Sequence, residues 1–419
     1  MSDTAHSAPR SDAEPTEAPR LAFLFILITL AIDAMGIGLI LPVLPDLISE
    51  LHGGTLGQAA LWGGVLSTAY AIMQFLCGPT IGSLSDRFGR RPILLISLTV
   101  MALDYVVMAL AGSIWLLLAG RIVGGIAAAT QSTATAFIAD ISKPEDKSKN
   151  FGLVGAAFGI GFVVGPLLGG FLGELGLRAP FYAAAALATL NLILGYYVLP
   201  ETVTDKIRRR FSWRRANPLG AFKHISALPG VGRYLALFFL YELAFFVYPA
   251  IWAYFTRAQF GWEPGMVGLS LGLFGVAIAV VQGGLIRWII PTFGEKSTIL
   301  YGFIFNFCAF FALATVTSGT VALILTPLTA LGAVVTPALQ GLMSRAAGAD
   351  QQGELQGLVS SIRAVAAIVS PLVMTQIFFL ATDQSLGVDA PGAPFFLSMG
   401  LMALCLVLFL SARRSRVAA

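Results

Sequence analysis

Five charged residues sit inside otherwise apolar stretches of this chain: Asp33, Asp104 and Arg121 in the first half, Glu242 and Arg363 in the second. A charge at the centre of a bilayer costs at least ~2.5–3.5 kcal/mol even on permissive insertion scales, so such residues face a cavity or one another. A carboxylate at that depth can take up a proton from one side and lose it to the other. Desolvation favours its protonated form and a nearby guanidinium its ionised form. Asp33 lies about 12 residues, or ~18 Å of helical rise, into the first apolar segment. Arg121 lies about 7 residues from the opposite end of the fourth at ~1.5 Å each, so the spacing puts the two at similar depth, as a proton-coupling site or a static pair. Asp104 either takes part in that chemistry or hydrogen-bonds to a neighbour. Glu242 and Arg363 stand at equal depth in the seventh and eleventh segments. They are expected to pair, as a second proton or substrate site or as a structural bridge, since an unpaired buried charge is much costlier than a pair.

A second concentration of charge lies in "GSLSDRFGRRPILL", residues 82–95, where Asp86, Arg87, Arg90 and Arg91 occupy six positions. Arginines between apolar segments mark a cytoplasmic loop. Gly89 permits a tight turn and Pro92 can start the next helix. Asp86 is the member that topology leaves unexplained. Uncharged polar groups, among them Gln74, Gln131, Asn191, Gln282, Asn306, Gln340 and Gln376, are dispersed through the apolar segments with aromatics such as Phe245, Tyr248 and Trp252. A cavity lined that way suits an amphipathic ligand, with Trp252, Gln282 and Asn306 as candidate contacts. In "GFVVGPLLGG" (161–170), Pro166 removes a backbone hydrogen bond, and Gly161, Gly165, Gly169 and Gly170 allow a neighbouring helix to approach closely.

The elements that must hold these residues follow from composition. The chain has 419 residues, 57% of them hydrophobic, and a mean hydropathy of +0.82. Apolar segments of about 20 residues dominate, long enough to cross roughly 30 Å of hydrocarbon. The fold class is therefore an all-α integral membrane protein, with twelve helices predicted over 21–43, 58–81, 93–112, 114–138, 151–173, 180–199, 232–256, 265–290, 298–317, 320–341, 355–380 and 392–411. The ninth and tenth are divided only by "TSGT". With both termini on one side, 22 of the 26 Lys and Arg residues fall on that side, only Arg178 and Arg257 on the other, and Arg121 and Arg363 within helices. That asymmetry predicts cytoplasmic termini.

The organisation reads as a disordered cytoplasmic tail (1–20), a six-helix bundle (21–199), a basic linker (200–231), a second bundle (232–411) and a short tail (412–419). "KIRRRFSWRR" (206–215) is read as an inside-positive linker, with anionic lipid binding as the alternative. "DRFGRRPILL" (86–95) and "PTFGEKSTIL" (291–300) make the two halves distant repeats, the plan of many secondary transporters, with a binding site near midplane between them. Three scattered cysteines form no disulfide framework. The three histidines lie in the tail or loops, so no histidine relay or His-based metal site is expected. Neither a nucleotide-binding Gly-x-x-x-x-Gly-Lys-[ST] nor His-Glu-x-x-His is present. An enzyme at membrane depth would need a nucleophile with a base, or a metal cluster.

The stretches "IDAMGIGLILPVLPDL" (32–47), "SDRFGRRPILLISL" (85–98), "LDY" (103–105), "RIVGG" (121–125), "FGIGFVVGPLLGG" (158–170) and "PALQGLMS" (337–344) resemble the major facilitator superfamily, and within it the tetracycline-resistance branch of drug–proton antiporters. The resemblance covers about residues 30–376. It implies proton-coupled efflux of a small amphipathic drug by alternating access, by a monomer in the inner membrane, with transport of an endogenous metabolite as the alternative. It implies no cofactor beyond the proton gradient, no nucleic-acid partner, and no metal site, though a substrate could carry a chelated divalent ion. By the same resemblance Asp33 and Arg121 serve proton coupling, Asp33 also binds substrate, Asp104 is an acidic position of the branch and a candidate substrate contact, and Gly165 and Pro166 form part of the antiporter motif. Asp86, with Arg87, Gly89, Arg90 and Arg91, serves a gate that latches in the outward-open state. The sequence departs from that branch in the second half. Ile278 and Asn306 stand where a histidine and an aspartate are characteristic, and Glu242 where a neutral amide is usual. The departures weigh against tetracycline as the substrate and leave proton-coupled export in place.

Overall fold

The computed structural model describes residues 17–417, except 129, 144, 205–207, 210, 212–216, 221, 223–229, 349–350 and 384–388. Most of the basic linker run and the first sixteen residues therefore lie outside the described residues. Within hydrocarbon every backbone N–H and C=O must be satisfied internally, and the described residues form helices and no strand. Among the described residues, twelve helical spans are long and apolar enough to cross a membrane.

The elements of the first half are α1 (Glu17–Ile40), a short α2 (Leu44–His52), α3 (Leu56–Phe88), α4 (Arg90–Ala109), the fourth span divided into α5 (Ile114–Ala127) and α6 (Thr130–Ile141), α7 (Lys147–Leu175) and α8 (Ala179–Val198). The second half holds α9 (Gly232–Phe245), α10 (Val247–Phe260), α11 (Pro264–Val280), a π-helical turn (Val281–Leu285), α12 (Ile286–Phe293), α13 (Glu295–Thr315), α14 (Gly319–Thr329), a 3-10 turn (Ala330–Val334), α15 (Val335–Ala346), α16 (Gln352–Ala381) and α17 (Ala393–Val417). The ninth and tenth spans are separate, and Ser318 caps the tenth by accepting from the Val321 N–H. Thr55 and Gln58 form a reciprocal capping box at the start of α3, which satisfies two otherwise orphaned donors.

Several ends differ from the sequence expectation. The helix predicted to stop at 81 runs on to Phe88, and the next begins at Arg90 rather than at Pro92. The loop expected around "SDRFGRRP" is thus reduced to one residue, Gly89, at φ 113°. Gly294, at φ 74°, makes the same one-residue break between α12 and α13. A positive φ is what a residue without Cβ supplies cheaply. The two Phe-Gly repeats are therefore one structural device used once in each half.

The face bearing the termini and the opposite, far face are packed very differently. On the far side the halves meet closely. A Cβ on Gly268 of α11 would strike the backbone of Pro166 and Gly170 in α7, and one on Gly64 of α3 would meet Thr375 and Pro371 of α16. Thr68 Oγ1 donates to the Ile368 carbonyl across the halves at 3.0 Å. On the terminal side, Gly78, Gly152, Gly155, Gly159, Gly283 and Gly284 have nothing within 4 Å of where a Cβ would stand. The far face is closed and the terminal face is open.

Candidate functional site

Asp33 lies on α1, which is held against α7 by glycine: a Cβ on Gly161 would overlap the Ala31 carbonyl, and one on Gly169 the Leu39 carbonyl. Gly165 and Pro166 belong to the same seam, with Gly38 of α1 against both. Close backbone contact of this kind substitutes for the hydrophobic drive that lipid removes. Asp33 lines a cavity of about 40 Å³ with Tyr70, Gln74, Asp104, Arg121 and Gln131. Its Oδ1 is buried and has no hydrogen-bond partner. The cavity has room for a few water molecules, and drug-sized ligands need several hundred Å³.

Arg121 is not paired with Asp33. Its Nη2 lies 3.4 Å from Asp104 Oδ2, and its guanidinium stands over the Tyr70 ring at 5.2 Å. Equal depth along two helices sets height but not azimuth, and Asp104 is on the face of α4 that meets α5. Gly120 and Gly124 make room for it: a Cβ at either would come within 2.7 Å of an Asp104 oxygen. The "RIVGG" glycines thus seat the carboxylate that Arg121 binds. Of the two mid-span carboxylates of the first half, Asp104 is ion-paired and Asp33 is not, and both face the same small cavity.

In the second half Arg363 Nη2 and Nε donate to Glu242 Oε1 and Oε2 at 2.9 and 3.2 Å. This is the bidentate fork that makes arginine–carboxylate pairs specific. Glu242 is the buried member, with 9% of its side chain exposed, and Arg363 the accessible one at 47%.

The remaining candidates fall in several places. Trp252 is buried and its Nε1 donates to Ser270 at 2.9 Å. It borders a void of about 20 Å³ between the halves with Leu41, Gly63 and Tyr254. Gln282 is exposed in the π-helical turn. Asn306, expected among substrate contacts, is fully buried, and its Nδ2 donates to the carbonyls of Gly302 and Gly332 at 2.8 and 3.0 Å. It bridges α13 to the 3-10 turn of the tenth span and lines none of the cavities described here. Asn306→Ala should cost about 1 kcal/mol, chiefly for the one interhelical hydrogen bond to Gly332, read as a melting temperature lowered by a few degrees in detergent, with substrate affinity unchanged. A loss of affinity at unaltered melting temperature would restore the binding role.

The terminal-face charges form a network inside the first half. Arg90 Nη1 pairs with Asp86 at 2.6 Å and its Nε with Asp140 of α6 at 3.1 Å. Glu201, after α8, accepts from the Arg90 and Arg91 backbone N–H groups at 2.9 and 3.3 Å, a carboxylate at a helix N-terminus. Arg87 is exposed above the Phe88 ring. The second half carries the mirror pair with charges exchanged, Glu295 at the start of α13 bound to Arg345 of α15. Asp140 and Glu201 were not singled out from sequence, because "IADIS" and "LPETV" carry no motif. Their signal was only that each ends a span beside the arginine cluster.

"GLSLG", residues 268–272, has the order of a hydrolase nucleophile elbow. It lies within α11, and Ser270 is buried, donating to the Val267 carbonyl at 2.7 Å and accepting from Trp252. An elbow requires a strand-to-helix turn and a base; here the serine is a packing residue. Among the described residues no group of three or more His, Cys, Asp or Glu could hold a metal ion.

Comparison with known proteins accounts for this plan. Residues 26–371 match the Major Facilitator Superfamily. The class C tetracycline resistance protein of Escherichia coli is 42% identical over 358 residues, covering 85% of this chain and 89% of that protein. The class D protein of Salmonella ordonez is 34% identical over 393 residues, covering 94% and 97%. The crystal structure of the human organic anion transporter MFSD10 superposes with a TM-score of 0.69 at 26% identity, over 94% of this chain and 100% of that one. A bacterial homologue of the lysosomal transporter Spinster, solved in an inward-facing, unoccupied conformation, shares the fold at a TM-score of 0.76 and 14% identity, over 96% and 98%. With twelve spans in two halves and ionisable groups buried at mid-depth, this chain is a multi-pass membrane transporter, not an enzyme, and it belongs to the Major Facilitator Superfamily, with the tetracycline resistance proteins as relatives over most of its length.

Proposed function

We propose that this protein exports a small amphipathic drug, tetracycline-like or of broader range, in exchange for protons, by alternating access with the terminal face cytoplasmic. The observation that carries the reading is Asp33: a carboxyl group at mid-span, its Oδ1 buried without a partner, in a water-sized cavity beside the Asp104–Arg121 pair. Such a group is poorly satisfied when ionised and empty-handed, so it is built to hold either a proton or a substrate's polar group, not both. The names of the tetracycline resistance proteins support a drug cargo, and the Lys/Arg asymmetry supports cytoplasmic termini. The open terminal face is then the loading state of an exporter, and the glycine seams of α7 with α11 and of α3 with α16 are the contacts that part when the far face opens.

The test is accumulation of tetracycline and of a panel of amphipathic drugs in a bacterial host stripped of its own exporters. Cells expressing the protein should hold several-fold less of at least one compound. An ionophore that collapses the proton gradient should abolish the difference. If collapse leaves the difference intact, proton antiport fails; if no compound is held at a lower level, drug export fails for that panel.

A further inference from the structure

Arg363 poses a problem that the pairing with Glu242 does not solve. Nearly half of its side chain is exposed, eleven residues into α16, about 16 Å of rise from the terminal end. That is too deep for a guanidinium to reach the interface easily. The helix itself shows where this exposure faces. In the far half of α16 the exposed positions are Leu372, Val373, Gln376 and Leu380, a mainly apolar strip suited to lipid. In the terminal half they include Gln356, Ser360 and Arg363, spaced i, i+4, i+7, which at 100° per residue puts them on one face. From Gln376 back to Ser360 is sixteen residues, about 160° around the helix, so the polar stripe lies opposite the lipid strip. A polar stripe on that side, in a structure open at its terminal face, lines the aqueous opening between the halves.

The donors of Arg363 are divided accordingly. Nε and Nη2 hold Glu242. The Phe238 ring lies under the guanidinium at 5.6 Å. The edge formed by Nη1 and the second hydrogen of Nη2 remains for a ligand, and a guanidinium can engage an acid on each of two edges. From the opening, Arg363 is encountered first and Glu242, the buried partner, stands behind it. The geometry points to a substrate subsite for an anionic oxygen group, such as a carboxylate or enolate on an amphipathic molecule, read by Arg363 with Glu242 as the positioning residue that holds its outer edge toward the opening. This rests on the export reading above and names the chemical class its cargo would include.

The probe is radiolabelled 1-naphthaleneacetate, anionic at neutral pH, with the neutral 1-naphthaleneacetamide as partition control, each measured by equilibrium dialysis against the full-length protein in nanodiscs. Wild type should bind the acid at least tenfold more tightly than the amide. Arg363→Gln should lose that preference, and Arg363→Lys should keep part of it, since an ammonium keeps charge but not the fork. Glu242→Gln removes the competing negative charge while keeping an acceptor, so it should bind the acid several-fold more tightly. A structural bridge alone would leave the preference unmoved or lower it through misfolding. The double variant Glu242→Gln with Arg363→Gln guards against that, since it leaves no buried charge unpaired and should fold yet show no preference. An acid preference that survives Arg363→Gln, or is missing from wild type, overturns the subsite. Drug efflux retained in that case leaves the export reading standing, whereas loss of the efflux phenotype in wild type overturns the export reading separately.

Discussion

Asp33→Asn should abolish gradient-driven extrusion while preserving substrate–substrate exchange. Asparagine has the shape of aspartate, and the seam of α1 on α7 is set by glycines and backbone rather than by this side chain. The buried Oδ1 makes no hydrogen bond that the substitution would break. What is lost is the capacity to exist with and without a proton. One proton moving through 100 mV contributes ~2.3 kcal/mol, equivalent to roughly a 50-fold concentration ratio, and that ratio should fall to the level of empty proteoliposomes. Counterflow with substrate on both sides needs no proton and should persist within about twofold of wild type, since the asparagine amide keeps a polar group where the carboxyl would meet the substrate. Arg121→Gln should behave differently. It leaves Asp104 without its cation at 3.4 Å and should lower both modes together, through misplacement of the cavity as well as loss of coupling. Gradient-driven flux surviving in Asp33→Asn would move the coupling role elsewhere, with Asp104 and Glu242 next in line.

The fold was legible because hydrocarbon imposes so few options. Twelve apolar segments of spanning length, a repeated Phe-Gly break and a one-sided distribution of basic residues settle the span count and the two-half plan before any contact is known. The pairing of Glu242 with Arg363 was also readable, since two charges at one depth on adjacent spans have little alternative. The partner of Arg121 was not. Asp33 and Asp104 both offered a carboxylate at accessible depth, and the choice was made by Gly120 and Gly124, which let α4 bring Asp104 against α5. Asn306 misled for a related reason. A polar residue in a span signals a need for a partner, but the sequence does not say whether that partner is a ligand or, as here, one carbonyl of its own helix and one of the neighbouring span. The one-residue break at Gly89 depended on Glu201, more than a hundred positions away, whose carboxylate satisfies the first N–H groups of α4. The ion pair that joins α2 to α10 across the halves at the far face was invisible in the same way, because α2 is too short and too polar to be read as an element.

That ion pair gives the second strong expectation, in which two substitutions of one bridge act in opposite directions. Asp46 of α2 belongs to the first half and Arg257 of α10 to the second, and they meet at 3.1 Å. Arg257 also binds Glu263 at 2.9 Å. Tyr254, one turn earlier in α10, is buried against Gly63 of α3, and the neighbouring Glu50 is occupied by Arg178 at 2.9 Å. Burial pushes the Asp46 carboxyl above its ordinary range; Arg257 pulls it back in part, and Glu263 adds to the rise. When the far face opens, Asp46 returns to water and to the ordinary carboxylate value. The closed form therefore binds the proton more tightly. Acid favours closure: the gain is fully present below the ordinary value and is lost as pH rises through the raised one. At a pH above the raised value Asp46 is ionised in both forms and its desolvation opposes closure. Asp46→Asn removes that cost and leaves Arg257 with Glu263, so it should favour the closed far face and erase this part of the pH dependence. Arg257→Gln leaves two carboxylates facing each other without their cation and should favour opening by about 1–2 kcal/mol, between the values for exposed and fully buried pairs. That is roughly a tenfold change in the ratio of states. Spin labels across the far face, in a background lacking Cys77, Cys308 and Cys405, would report both shifts as changes in the populations of short and long distances. Shifts of the same sign in the two variants, or a pH response unchanged in Asp46→Asn, would show that the glycine seams alone hold the far face shut and that the bridge merely accompanies them.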